Sequence, residues 1–146
     1  MKSAEAIKYI LGEQVKSYKM LIALLQRERT SLIDLRAADV EELSKEKDTL
    51  VLQLRLLEEE RVRLMGDFSD GTTLKNLAEL TGDIGISDLR STLISLVQSV
   101  EELNEFNRVL IERSMTYIRN TANFFGVFGL SSGGSSRTGS IFSVET

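Results

Sequence analysis

Two apolar seams in the first half of the chain mirror each other. Ile7, Leu11, Gln14, Tyr18, Leu21, Leu25, Glu28, Leu32 and Leu35 step alternately by four and three, the a/d pattern of a coiled coil. Val40, Leu43, Lys47, Leu50, Leu54, Leu57, Arg61 and Leu64 do the same. A short turn over residues 36–38 makes the two helices antiparallel, and facing layers then have residue numbers with a constant sum. Leu35 meets Val40, Leu32 meets Leu43, Leu25 meets Leu50, Leu21 meets Leu54, Tyr18 meets Leu57 and Leu11 meets Leu64. The polar interruptions obey the same rule: Glu28 faces Lys47 and Gln14 faces Arg61. Two unrelated seams would rarely match in this way. The expected object is a helical hairpin about 45 Å long, from ~1.5 Å of rise per residue.

Glu28 and Lys47 form the expected register pair. Either both heads reach water along the seam, or slipping the helices by a heptad strips each charge of its partner. Asp39 followed by Glu42 has the form of a capping box for the second helix. Past Met65, "GDFSDGTT" reads as a loop and "TLKNLAEL" as a short helix closed by "TGDIG". Gly66 and Gly71 lack the lysine of a phosphate loop, and Ala78 stands where a calcium loop needs its glutamate.

Ser87, with Asp88 behind it, is the expected N-cap of a third long helix. Its seam is Leu89, Leu93, Leu96, Val100, Leu103, Asn107, Leu110, Ser114, Tyr117, Thr121 and Phe124. The first part is apolar and the second is not. A second stripe appears where the first weakens: Ile111, Met115, Ile118, Ala122 and Phe125. The expected architecture is all-α: helices over about 3–36, 40–65, 73–80 and 88–125 within one domain, 1–126. A flexible Gly/Ser-rich tail, 127–146, follows.

Composition narrows the chemistry. Proline, cysteine, histidine and tryptophan are all absent. Long uninterrupted helices are therefore permitted, and disulfides and thiolate or imidazole metal sites are not. No nucleophile is assembled with a base, so no enzyme, catalytic residue, metal or cofactor is expected. The net charge is −4. Residues 67–112 carry nine acids against Lys75, Arg90 and Arg108, and nowhere is there the basic stripe that nucleic acid demands. No apolar run approaches the ~20 residues of a membrane span, so a soluble, cytoplasmic protein without stable membrane insertion is expected.

Three segments look familiar: "LLQRERTSLIDLRAADVEEL", "LSKEKDTLVLQLRLLEEERVRL" and "LVQSVEELNEFNRVLI". Together they resemble the FlgN family of flagellar export chaperones over roughly residues 5–118. The matching pattern is Glu28 in helix one, Lys47 and Arg61 in helix two, and the Asn-x-x-Asn-x-x-Leu run Asn104, Asn107, Leu110. The resemblance implies a cytoplasmic chaperone for type III export. Such proteins bind hook-associated (hook–filament junction) proteins through amphipathic helices, prevent premature assembly and deliver their clients to the export apparatus.

On that footing the expected partner-binding residues are Leu103, Asn104, Asn107, Leu110, Ile111, Met115, Ile118, Phe124 and Phe125. Met115 supplies an adaptable apolar contact, and the asparagines supply hydrogen bonds to a client helix. A plainer assignment stands beside it. A helix lying between two others needs a wide apolar face, and these residues could be that face. Two other functions remain open: a self-associating structural coiled coil, or a peripheral membrane protein inserting "NFFGVFG". The expected state is a monomer or weak homodimer.

Overall fold

The computed structural model describes residues 2–67 and 73–127. Its elements are α1 (Lys2–Ile33), α2 (Ala37–Gly66), α3 (Leu74–Thr81) and α4 (Ile84–Val127). Among the described residues there is no strand. The expected tail lies outside the described residues.

Helix α1 is central: α2 packs along one side of it, α4 along another, and α3 packs on α4. Lys47 Nζ donates to Glu28 Oε2 at 3.0 Å and Gln14 Nε2 to Glu58 Oε2 at 2.8 Å, so α1 and α2 are antiparallel, and the first contact has the register expected from the mirrored seams. Leu32 and Leu43, Leu25 and Leu50, and Leu21 and Leu54 are buried as pairs. Full burial of each such side chain contributes about 1.5–3 kcal/mol, so these layers dominate the stability of the hairpin.

The hairpin tip differs from expectation. Helix α1 stops at Ile33, and Leu35 leaves the seam: it has φ 55° and is 66% exposed. Arg36 N–H donates to Ser31 O at 2.9 Å and Leu35 N–H to Leu32 O at 3.3 Å, which is the Schellman pattern. A leucine occupies the left-handed position that normally takes glycine, at a cost of about 1–2 kcal/mol. Helix α2 then begins at Ala37, with Arg36 as its N-cap and no side-chain cap bond. Asp39 therefore sits inside the first turn instead of capping it, where its charge still favours the helix N-terminus.

The entry to α4 also differs. Thr73 caps α3 by accepting from Asn76 N–H at 3.2 Å, and Gly82 ends it with φ 64°. Two residues later α4 begins, ahead of the expected Ser87. Asp83 takes the capping role: its Oδ1 accepts from Gly85 N–H at 2.9 Å. Lys8 Nζ reaches Asp83 Oδ2 at 3.2 Å, tying the start of α4 to the start of α1. A Cβ on Gly85 would meet Asp83 Oδ1 at 3.0 Å and Lys8 Cε at 3.1 Å, so any side chain here would push both back by a few tenths of an ångström. The Lys8 ammonium, with help from the Gly85 amide, holds the Asp83 carboxyl below its usual range.

Candidate partner-binding end of the long helix

One heptad position of α4 decides where this helix is held. Ile86, Leu93, Val100 and Asn107 are seven apart, and all four are buried. Ser114 and Thr121 continue the row and are half-buried. The row is apolar for three layers and polar from Asn107 onward. A wholly apolar row would press against α1 throughout; this one stops supplying apolar burial at its fourth layer, where buried Asn107 stands.

Asn107 closes the packed part with a three-helix polar node. Its Nδ2 donates to Leu25 O at 2.9 Å and to Glu28 Oε1 at 3.0 Å. The other Glu28 oxygen accepts from Lys47. Glu28 is 3% exposed and Asn107 1%, so α1 lends one carboxylate to α2 and α4 together. Among the described residues the buried Asn107 Oδ1 has no hydrogen-bond partner. An unmet buried acceptor costs about 1–3 kcal/mol, so this layer attaches α4 less firmly than a leucine layer. Just outside it, the Arg29 guanidinium lies 4.5 Å from the centre of the Phe106 ring, a cation–π contact worth about 0.5–1 kcal/mol at an exposed site.

The same node fixes where support ends. Lys8 pairs with Asp83 at one end and Glu28 with Asn107 at the other, so α4 runs parallel to α1. The 79-residue separation of Glu28 and Asn107 carried to Ile33, the last residue of α1, gives Glu112. From Arg113 to Val127 the helix therefore projects past the hairpin tip, by roughly 22 Å at 1.5 Å per residue. Arg108 bridges to Glu105 and Glu112 across the point where support is lost. Its hydrogen bonds with Glu105 hold that carboxyl below its usual range.

The expected site residues divide accordingly. Leu103 packs against the core, and Asn107 is committed to Glu28 and Leu25. Neither is open to a client while α4 lies on α1, because these positions are the ones that attach it. Asn104, Leu110, Ile111 and Met115 are half-buried. Ile118 is 64% exposed, as is Tyr117 beside it. The side chains of Phe124 and Phe125 lie outside the described ones. Glu28 and Lys47 meet as described above; Gln14 meets Glu58 at 2.8 Å instead of Arg61, and Arg61 itself chelates Glu58.

A family model described as FlgN protein matches residues 1–127. The chain belongs to the FlgN family. Comparison with curated proteins and with solved structures returned no match. Members of the FlgN family are flagellar export chaperones, and the matched range ends with α4 itself. No described helix is long and apolar enough to cross a membrane.

Reading the sequence alone missed Leu77, Ile86 and Val97, all buried. Ile86 was legible in principle, seven residues before Leu93, but the expected cap at Ser87 placed it outside the helix. Leu77 seals the base of the bundle from α3, which no seam on α4 could announce.

Proposed function

We propose that this FlgN-family chaperone is cytoplasmic and holds hook-associated proteins before export, seating an amphipathic client helix along the projecting end of α4. The observation that carries this is the overhang. Fifteen helical residues lie beyond the point of α4 that the Glu28–Asn107 offset sets level with the end of α1, and Tyr117 and Ile118 among them are 64% exposed. An isolated helix of that length is marginal in water, and a client helix laid along Ile111, Met115 and Ile118 supplies the missing apolar partner. Asn104 and Leu110 flank the stripe, Phe125 continues it in sequence, and Phe124 ends the neighbouring row. Glu28, Lys47 and Asn107 form the anchor that keeps register among the three helices. Covering the client helix keeps it from assembling early, and releasing it at the export apparatus completes the task.

The test is titration calorimetry of the chain with the terminal helical segments of a hook-associated protein. Wild type is expected to form a one-to-one complex. Met115→Ser with Ile118→Ser is expected to weaken it at least 100-fold, since each buried apolar side chain contributes about 1.5–3 kcal/mol, with the circular dichroism unchanged. Unchanged affinity would refute the proposed seat. A stable homodimer that the double substitution dissolves would make the stripe a self-association surface instead.

A further inference from the structure

A second surface lies at the other end of the bundle. Helices α2 and α4 each pack on α1 and, among the described residues, not on each other. The cleft left between them has a volume of about 470 Å³. Its lining includes Gln14 and Tyr18 from α1, Glu58 and Arg61 from α2, Leu74 and Lys75 from α3, and Arg90, Leu93, Ile94 and Val97 from α4. Gln14 and Tyr18 are buried, and burial pushes the Tyr18 hydroxyl up to about 12.

Among the described residues that line this cleft the charges do not cancel: Arg61, Lys75 and Arg90 stand against Glu58. Glu58 is already satisfied, accepting from Gln14 Nε2 at 2.8 Å and Arg61 Nε at 2.9 Å. Residues 67–112 carry nine acids and only three bases. Arg108 is bridged to Glu105 and Glu112. The other two, Lys75 and Arg90, make no salt bridge among the described residues, and both line the cleft. Two cations are thus gathered at one groove on an otherwise acidic stretch. Arg90, Ile94 and Val97 follow one another at helical spacing, so charge and apolar surface form a single strip.

We propose that this cleft docks a carboxylate-bearing amphipathic helix of a protein partner. Its acids lie toward Lys75 and Arg90, and its apolar side chains lie against Leu74 and Ile94. The site is separate from the projecting end of α4: Val97 and Ile118 are 21 residues apart on one helix, roughly 32 Å.

The test uses a synthetic 18-residue helical peptide with leucines on one face and flanking glutamates, its glutamine counterpart, and free glutamate. Amide chemical shifts of the full chain are followed by two-dimensional NMR. The glutamate peptide is expected to move the amides of Lys75, Arg90 and Ile94. Its affinity is expected to fall at least 10-fold with the glutamine peptide, and again with Lys75→Glu plus Arg90→Glu, a pair away from the buried core. Equal affinity for both peptides overturns the proposal, as do shifts confined to Met115–Ile118. Free glutamate binding as tightly as the peptide would make the cleft a small-carboxylate pocket and overturn it too. Should the double variant fail to fold, the glutamine comparison on the wild-type chain still decides.

Discussion

The two halves of α4 belong to one unbroken helix, yet they solve different problems. From Ile86 to Val100 the helix buries an apolar row against α1 and is part of the core. From Arg113 onward it has outrun its support, and an isoleucine stands 64% exposed. The change falls at one layer, where Asn107 replaces an apolar residue and meets Glu28. The lesson is that a seam-like pattern does not mean the same thing along its whole length. Identical spacing is core where a neighbouring helix lies beside it and free surface where that neighbour has stopped.

The sharpest way to break this comparison is to truncate one side chain in each half. Ile86→Ala removes a fully buried side chain and is expected to cost about 2–5 kcal/mol. Ile118→Ala is expected to stay within about 0.5 kcal/mol. Urea unfolding of both variants checks this, and equal costs would mean that the second half is core as well.

The polar layer between the halves is the next target. Asn107→Asp places a second carboxylate against buried Glu28 and is expected to cost about 2–4 kcal/mol at neutral pH. The introduced acid would be protonated more easily in the fold than in the unfolded chain. The deficit relative to wild type should therefore shrink as pH falls from about 6 to about 4, which melting curves at a series of pH values would show.

At the hairpin tip, where α4 loses its neighbour, Leu35→Gly relieves the left-handed strain. It is expected to raise stability by about 1 kcal/mol, little burial being lost from a side chain already 66% exposed. The smallest effect is expected at the opposite end. Folding lowers the Asp83 pKa through Lys8. Its stabilisation is complete above the unfolded carboxylate range, near pH 4, and disappears as pH falls through the lower folded value. Asp83→Asn should flatten that part of the acid-side fall in melting temperature and leave the rest.

The hairpin register was legible because two seams constrained each other, and the Glu28–Lys47 contact keeps the same sum as the buried Leu32 and Leu43, Leu25 and Leu50, and Leu21 and Leu54. The turn was not legible, because its left-handed residue is Leu35, and nothing in the side chain announces a positive φ. The start of α4 was hidden for the opposite reason: Gly82 and Gly85 look like helix breakers, yet one ends α3 and the other lets Asp83 and Lys8 close on the next helix. The weakening of the α4 row at Asn107 and Ser114 was visible in the residues themselves. Its physical meaning was not, since the overhang depends on the parallel offset between α1 and α4. The cleft was invisible for a similar reason: its walls come from four helices.

The central claim is that the end of α4 is unsupported until a client covers it. Hydrogen exchange read by mass spectrometry on the free chain and on its client complex tests this directly. In the free chain, amides of Arg113–Val127 should exchange at least 100-fold faster than those of Leu93–Asn107, and client binding should slow them selectively. Equal protection of the two segments in the free chain, or no change when a client is bound, would contradict the account.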